Sequence, residues 1–325
     1  MPDACRWRLH RAILLIAAGY NVAFGAWAVL RPTDFFTVFG LAAPNHPAIW
    51  QCLGMVVGVY GLAYAWAAFR PELVTPIVTL GLLGKTLGPL GWILTVASGD
   101  WPVRTFTLVL FNDVVWWLPF GLILLDGTRL GTRIRAAAPF ACAALNALGA
   151  IVMLLVLRHG LESEPAAAAR AAFVTNHAGL WRVSWGIWIA AALSLSAFYG
   201  WWGTQLADSR PGRWAFAITL VGLAADLMAE SLYIGWAPLD ESTQRVAGLL
   251  TGGVGNGLYT VAGIILTLAT PMSGGFRAAT WAVWLSGAAL TASAIAGSVA
   301  GMAISTAALM TLFCPWCAWL GWKLR

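Results

Sequence analysis

The sequence predicts an all-α polytopic membrane protein with about ten transmembrane helices. Of its 325 residues, 60% are hydrophobic and 10% are charged, whereas soluble domains carry about 25% charged residues. The mean hydropathy is +0.77. A soluble fold of this size could not bury so many apolar side chains, so the composition excludes a soluble enzyme and a disordered chain. The net charge of +6 lies mostly in short loops, which fits membrane topology better than nucleic-acid binding.

Apolar segments of the required length follow one another along the chain. A helix needs about 20 apolar residues to cross a hydrocarbon core of about 30 Å. The segment from Ala278 to Trp322 has no charged residue and is too long for one crossing at about 1.5 Å per residue. We expect it to form two helices joined near Gly297–Gly301. The other eight predicted spans are 11–30, 48–69, 74–97, 105–125, 137–157, 178–202, 213–236 and 246–270.

The loops differ in charge in a way that predicts the orientation. Twelve Lys and Arg residues fall in loops on one side of the predicted spans and six on the other. Because loops rich in Lys and Arg stay in the cytoplasm, we expect both termini to be cytoplasmic, which an even number of spans satisfies. The expected location is the inner membrane of a bacterium.

Two stretches of four spans share an order of short motifs, which predicts an internal duplication. Since four is even, both copies would have the same orientation, as in the parallel repeats of some transporters. We therefore expect two tandem four-helix units, at 1–130 and 131–272, and a C-terminal helical hairpin at 273–325. The matching motifs are Asn45-His46 with Asn176-His177, Trp50 with Trp181, Arg70-Pro71 with Arg210-Pro211, and Asn112 with Asn256.

Three short motifs lie within residues 17–126, in the first unit. They are Asn21 with Gly25 and Pro32, Gly84-Lys85 with Gly88-Pro89, and the segment from Asn112 to Phe120. By these motifs the unit resembles the DoxX-like family of small four-helix membrane proteins. The resemblance implies a four-helix membrane unit and a function linked to quinone-dependent oxidation of sulfur compounds or to redox maturation of partner proteins. It reaches residues 137–270 only through the repeat, where Asp226 stands at the Lys85 position and Gly257 at the Asp113 position.

Ionisable side chains near the middle of a span mark candidate functional residues, because each costs at least about 2.5–3.5 kcal/mol to insert. Lys85 and Asp113 lie about 17 and 19 Å from the predicted cytoplasmic ends of their spans. We expect an ion pair between them. It either holds the first unit together or, with Asn112 and Trp116, belongs to a ligand-binding or proton-relay site.

A second set of ionisable residues contains two carboxyls and no cation. Asp226 lies about 20 Å from the predicted cytoplasmic face, with Asn256 level with it and Glu230 one helical turn further on the same face. No Lys, Arg or His occupies that depth in the second unit. Such a pair suits a proton relay, a general acid or base, or a cation site. Alternatively, both are protonated and hydrogen-bonded to Asn256, Ser231 or Tyr259.

Two further motifs lie near span ends. The glycine-rich stretch from Thr251 to Gly257 predicts either close helix packing or a locally unwound helix beside Asp226. Cys314 and Cys317 form a C-x-x-C motif, which can cycle between dithiol and disulfide or bind a metal. The predicted topology places these cysteines near the reducing cytoplasm, where they are redox candidates.

The sequence alone leaves several functions open. The favoured one is binding of a small lipophilic ligand, for example a quinone, at the buried carboxyls Asp226 and Glu230, with a link to redox chemistry. The alternatives are a proton-coupled transporter of a small solute, a membrane-bound acid-catalysed isomerase or cyclase, and an assembly factor. Expected partners are the lipid bilayer, the ligand and a membrane protein, but not nucleic acid. No metal site is predicted, and haem is disfavoured because no two histidines face each other in the membrane.

Overall fold

The chain is an all-α polytopic membrane protein. The computed structural model describes residues 4–324, and within the first helix it describes the side chains of Trp7 and of residues 9 onward. In this part of the chain no residue forms a β-strand, and ten helices are long and apolar enough to cross a membrane. Of the basic residues that predict the orientation, Arg325 and the side chains of Arg6 and Arg8 lie outside the description.

The chain divides into two compact units, one ending at Thr132 and the other beginning at Arg133. The first contains four spans. Its elements are α1 (Ala4–Leu30), α2 (Asp34–Val38), α3 (Pro47–Ala67), α4 (Pro71–Ala97), a 3-10 turn (Val103–Thr105), α5 (Phe106–Val109), a π-helical segment (Leu110–Val114) and α6 (Val115–Leu124).

Proline and glycine shape the helices of the first unit. Pro47 and Pro71 open α3 and α4, where a helix needs no backbone N–H from the residue and the fixed φ of proline suits the first turn. Between α1 and α3 the backbones touch, since a Cβ atom added at Gly25 would lie 2.6 Å from the carbonyl oxygen of Gly54. The buried core between the helices includes Leu14, Tyr64, Val78, Trp116 and Phe120.

The second unit contains the remaining spans. Its elements are α7 (Arg129–Leu155), which starts just before the boundary, a 3-10 turn (Leu157–Gly160), α8 (Ala167–Asn176), α9 (Ala178–Thr204), α10 (Ser209–Gly235), α11 (Glu241–Gly248), a second π-helical segment (Leu249–Gly255), α12 (Asn256–Ala269), α13 (Gly274–Ala296) and α14 (Val299–Lys323).

Tryptophans build the core of this second unit. Indole N–H groups donate to buried threonine hydroxyls from Trp202 to Thr270 at 3.0 Å, from Trp284 to Thr267 at 2.8 Å and from Trp316 to Thr280 at 2.9 Å. A buried donor without a partner is costly away from water. Pairing each large ring with a hydroxyl therefore lets the rings fill the core without that cost.

The uncharged tail forms two helices, as predicted. At the end of α13, Gly297 has a φ of 68°, a left-handed conformation that favours glycine. Ser298 then caps α14, because its hydroxyl accepts a hydrogen bond from the N–H of Gly301 at 3.1 Å. Both helices belong to the unit that begins at Arg133. The three-domain division and the duplication stay predictions.

Each unit has one span that is interrupted by a π-helical turn. The first π segment, Leu110–Val114, lies in the fourth span and contains Asn112 and Asp113. The second, Leu249–Gly255, lies in the eighth span and ends just before Asn256. Such widened turns occur mostly as single-turn insertions and frequently lie at functional sites.

Candidate functional site

Asp226 lies inside α10 and accepts hydrogen bonds from the eighth span. Its Oδ1 atom accepts from the hydroxyl of Thr251, in the second π segment, and its Oδ2 atom accepts from the hydroxyl of Tyr259 at 3.3 Å. The backbone carbonyl of Tyr259 in turn accepts from the hydroxyl of Tyr199 at 3.1 Å. The Asp226 carboxyl is thereby held in place by two hydroxyls on one neighbouring span.

Two glycines bring this span against α10. A Cβ atom added at Gly222 would lie 3.1 Å from the carbonyl oxygen of Gly255, and one added at Gly255 would lie 3.3 Å from the Cβ atom of Asp226. These distances leave little room for a larger residue, so the glycines permit close packing. The sequence left open whether the glycine-rich stretch packs closely or unwinds; it packs closely and also contains the widened π turn.

Glu230 is buried like Asp226, but its environment is different. It is fully buried, and neither of its carboxyl oxygens has a hydrogen-bond partner among residues 4–324. Asp226, Glu230 and Tyr233 follow one another at intervals of four and three residues, which places them along one face of α10. Glu230 is close enough to Asp226 for the two carboxyls to interact electrostatically, and no cation in the described chain offsets either of them.

Glu230 lies one helical turn from Tyr233, which belongs to a stacked aromatic pair. The ring of Trp185 stacks on that of Tyr233, with the centroids 4.2 Å apart and the planes at 3°. The indole N–H of Trp185 is buried and also lacks a partner within the described part of the chain. Two unpaired polar groups, a carboxyl on α10 and an indole N–H on α9, therefore belong to the stacked residues or to the helical turn next to them.

Asn256 does not bind Asp226, although the two were expected to lie level. Its amide donates to the carbonyl of Gly287 at 2.7 Å and to the hydroxyl of Thr291 at 2.9 Å, both on α13. Asn256 therefore joins two helices. The residue that sequence reasoning missed is Thr251, whose hydroxyl takes the position beside Asp226; its place at the start of the glycine-rich stretch was the available signal.

In the first unit, the expected ion pair is present. The Nζ atom of Lys85 lies 4.0 Å from Oδ1 of Asp113 and donates to the backbone carbonyl of Asn112. The side-chain amide of Asn112 donates to the same Asp113 oxygen at 3.0 Å, and the Lys85 Nζ lies 5.7 Å from the ring centroid of Trp116. Each charge thus has partners, which favours a structural role.

A small residue makes room for this pair. A Cβ atom added at Gly88 would lie 2.9 Å from Oδ2 of Asp113, so a side chain there would press on the carboxylate. Elsewhere in the first unit, the side-chain oxygen of Asn21 and the indole N–H of Trp116 are buried without a partner in the described residues.

The two cysteines of the C-x-x-C motif lie within α14 and are free thiols. Cys317 is buried, donates to the carbonyl of Pro139 at 3.1 Å and lies near Cys142. Cys142 lies on α7 and is also a buried free thiol. Cys314 is half-buried. The structure does not bring these thiols to the carboxyls of α10, and their redox role stays a prediction.

Comparison with known proteins does not identify the function of these sites. No family model, no curated protein and no solved structure matches the chain. Among the described residues, no group of three or more His, Cys, Asp and Glu side chains could hold a metal ion. The function is therefore inferred from the chemistry of the chain's own residues.

Proposed function

We propose that this membrane protein binds a small, largely apolar ligand at Asp226 and Glu230 and exchanges a proton with it. The observation that carries the proposal is the Glu230 carboxyl, which is fully buried yet has no hydrogen-bond partner among the described residues. An unpaired buried polar group costs about 1–3 kcal/mol. A ligand oxygen or nitrogen would offset that cost.

The aromatic neighbours support an apolar ligand with a polar group. The unpaired N–H of Trp185 would donate to a ligand oxygen, while the stacked rings of Trp185 and Tyr233 offer flat apolar surface. Binding sites of this kind combine apolar walls with a few polar groups that fix orientation. A quinone is one molecule with these properties.

The two carboxyls would have different roles in the proposed site. Asp226 is anchored by Thr251 and Tyr259, so it is held in one position. Glu230 has no such anchor within the described chain and is the group that contacts the ligand. A carboxyl at hydrogen-bond distance from a ligand can donate or accept a proton.

The experiment is mass spectrometry of lipid extracts from the purified protein. We expect a small lipophilic molecule to copurify with the wild type and to be lost from Glu230→Leu, which removes the polar group. The Asp226→Asn/Glu230→Gln variant keeps hydrogen-bonding capacity but cannot exchange the proton, so it should retain part of the ligand. Glu72→Gln, at an exposed carboxyl, is the control and should behave as wild type.

Two results would contradict the proposal. One is a wild-type protein that carries no specific lipophile. The other is equal recovery of the same molecules from wild type, Glu230→Leu and Glu72→Gln, which would mean that the extract reports bulk lipid.

Proton-coupled transport is the second candidate. It is favoured by the occurrence, in both units, of a titratable residue opposite a π segment: Lys85 in the first and Asp226 in the second. Transporters built from repeats place their sites near the bilayer midplane on interrupted helices. Proton flux into liposomes that contain the protein would support this candidate if a solute gradient drives it and Asp226→Asn abolishes it.

We also propose a family for the chain and an orientation in the membrane. Gly88 and Asp113, which belong to two of the motifs behind the resemblance to the DoxX-like proteins, lie against each other. The predicted excess of Lys and Arg in loops on one side supports cytoplasmic termini and a bacterial inner membrane. Labelling of engineered cysteines at Ser163 and Ser209 tests the orientation, because the two should react from opposite sides.

A further inference from the structure

A pocket opens at the end of the second unit where α9 begins and α10 ends. Its cavity volume is about 90 Å³, and the empty space reaches about 450 Å³ when the open mouth is included; its walls come from α8, α9, α10, α11 and the segment that leads into α11. This cavity is smaller than sites for drug-sized ligands, which hold about 300–1,000 Å³, so the pocket suits only a small molecule. The pocket has two charged sides and one apolar side.

Arg170 forms the cationic side. It is more than nine-tenths buried, with 9% exposure, and its Nη1 atom donates to the carbonyls of Glu164 at 2.8 Å and Pro165 at 3.1 Å. These two bonds fix the guanidinium group. The Nη2 atom has a looser partner, since the carboxylate of Glu241 lies 3.7 Å away on a side chain that is 85% exposed.

Asp240 and Glu241 form the anionic side. The Asp240 carboxylate caps α11, accepting from the backbone N–H of Thr243 at 2.9 Å and from the hydroxyls of Ser242 and Thr243 at 2.5 and 2.8 Å. These hydrogen bonds hold the pKa of Asp240 well below its usual range. Of the described residues that line the pocket, Arg170 is the one cation and these two are the anions.

The apolar side is rigid. Trp181 is almost fully buried, and its indole N–H donates to the carbonyl of Tyr233 at 2.6 Å. Val174 and Leu239 complete this wall.

We propose that this pocket binds a small zwitterion with an apolar side chain, such as leucine or phenylalanine. The carboxylate of the ligand takes the place of Glu241 beside Nη2 of Arg170, and Glu241 and Asp240 pair with the ammonium group. The side chain then packs on Trp181. An anion without an ammonium group would add a third negative charge, and an amine without a carboxylate would leave Arg170 with its loose partner.

The carboxyl pair Asp226 and Glu230 does not line this pocket, although Tyr233 belongs to both regions. The lipid-extract experiment and the binding experiment below can therefore fail separately.

Equilibrium binding of radiolabelled L-leucine and L-phenylalanine to the full chain in nanodiscs tests the proposal. We expect saturable binding of at least one of them. 4-Methylpentanoate and 3-methylbutylamine keep the leucine side chain but lack one charged group each. Each should compete at least about tenfold more weakly than leucine, since a site built for a polar group rejects the analogue without it.

Variants locate the site. Arg170→Gln should weaken binding by at least about tenfold, because a charge-assisted hydrogen bond is lost. Because Arg170 also bonds to the backbone, Ala171→Trp provides a second test by filling the pocket without touching those bonds. Ala168→Trp, on the exposed face of α8, is the matched control and should bind as wild type. Asp240→Asn keeps the helix cap, since asparagine caps as well as aspartate, and should weaken binding by removing charge.

Three results would overturn the proposal. The first is no saturable binding of either amino acid to the wild type. The second is equal binding by Ala171→Trp and Ala168→Trp. The third is competition by 4-methylpentanoate as strong as that by leucine, which would make the pocket a site for simple anions.

Discussion

In the ligand-free protein, replacement of Glu230 by methionine should raise the stability, whereas the same replacement at Asp226 should lower it. Both side chains are buried on α10, but only Asp226 has hydrogen-bond partners among the described residues. Methionine is similar in length to glutamate and longer than aspartate, has no strongly polar atoms, and adapts to irregular cores. The two variants therefore compare an unpaired with a paired carboxyl in one helix.

The magnitudes follow from the hydrogen bonds. Removing an unpaired buried polar group recovers about 1–3 kcal/mol, so Glu230→Met should raise the free energy of unfolding by about that amount. Asp226→Met leaves the hydroxyls of Thr251 and Tyr259 without their acceptor and should lower the free energy by about 1–3 kcal/mol. The difference between the variants is then about 2–6 kcal/mol, the sum of the two effects.

Unfolding by sodium dodecyl sulfate, followed by tryptophan fluorescence, measures these differences. Glu72→Met changes an exposed carboxyl and should shift the free energy by no more than about 0.5 kcal/mol. If Glu230→Met destabilised the ligand-free protein as much as Asp226→Met, the Glu230 carboxyl would have a stabilising partner within the chain, and the reasoning behind the ligand site would be refuted.

Three other predictions concern separate parts of the chain. Lys85→Met and Asp113→Leu should each lower the free energy of unfolding by about 3–5 kcal/mol, because each leaves a buried charge without its partner. The double variant should recover much of this loss. Additive losses in the same detergent titration would show that the two charges are not coupled. Gly263→Ala should lower the free energy of unfolding by about 1–3 kcal/mol, because its methyl group would press on an indole ring. Gly186→Ala, whose added Cβ has no neighbouring atom within 4 Å, should leave the free energy of unfolding unchanged. Because the pKa of Asp240 is lowered in the folded state, its stabilisation of α11 is present above the usual Asp pKa of about 3.9 and is lost as the pH falls below it. Hydrogen exchange in α11, corrected for intrinsic rates, should show this dependence in wild type but not in Asp240→Ala.

The ten spans were predictable because hydropathy depends on local composition alone. The break at Gly297 was also predictable, since a glycine between two long apolar runs suits a left-handed turn. The ion pair of Lys85 and Asp113 followed from depth and opposite charge, which the helical rise supplies.

The contacts of the carboxyl site were harder to predict. Asn256 lies at the expected position in its span, but the face it presents depends on the packing of α13, so its amide binds Gly287 and Thr291. The widened turn of the second π segment brings Thr251 to Asp226, and no local pattern reports such a turn. The contact of Cys142 with Cys317 joins distant parts of the sequence, which composition and spacing do not relate.

The two π segments have a consequence for how these spans tolerate changes in length. In an α-helix, deleting one residue rotates everything beyond it by about 100° and misplaces every later contact. A π turn accommodates one more residue than an α turn, so a deletion within Leu249–Gly255 can be absorbed by closing the wide turn. The helix that follows, Asn256–Ala269, would then keep its contacts while Thr251 lost its own. Length variation at these two places would thus alter the polar site and spare the surrounding bundle.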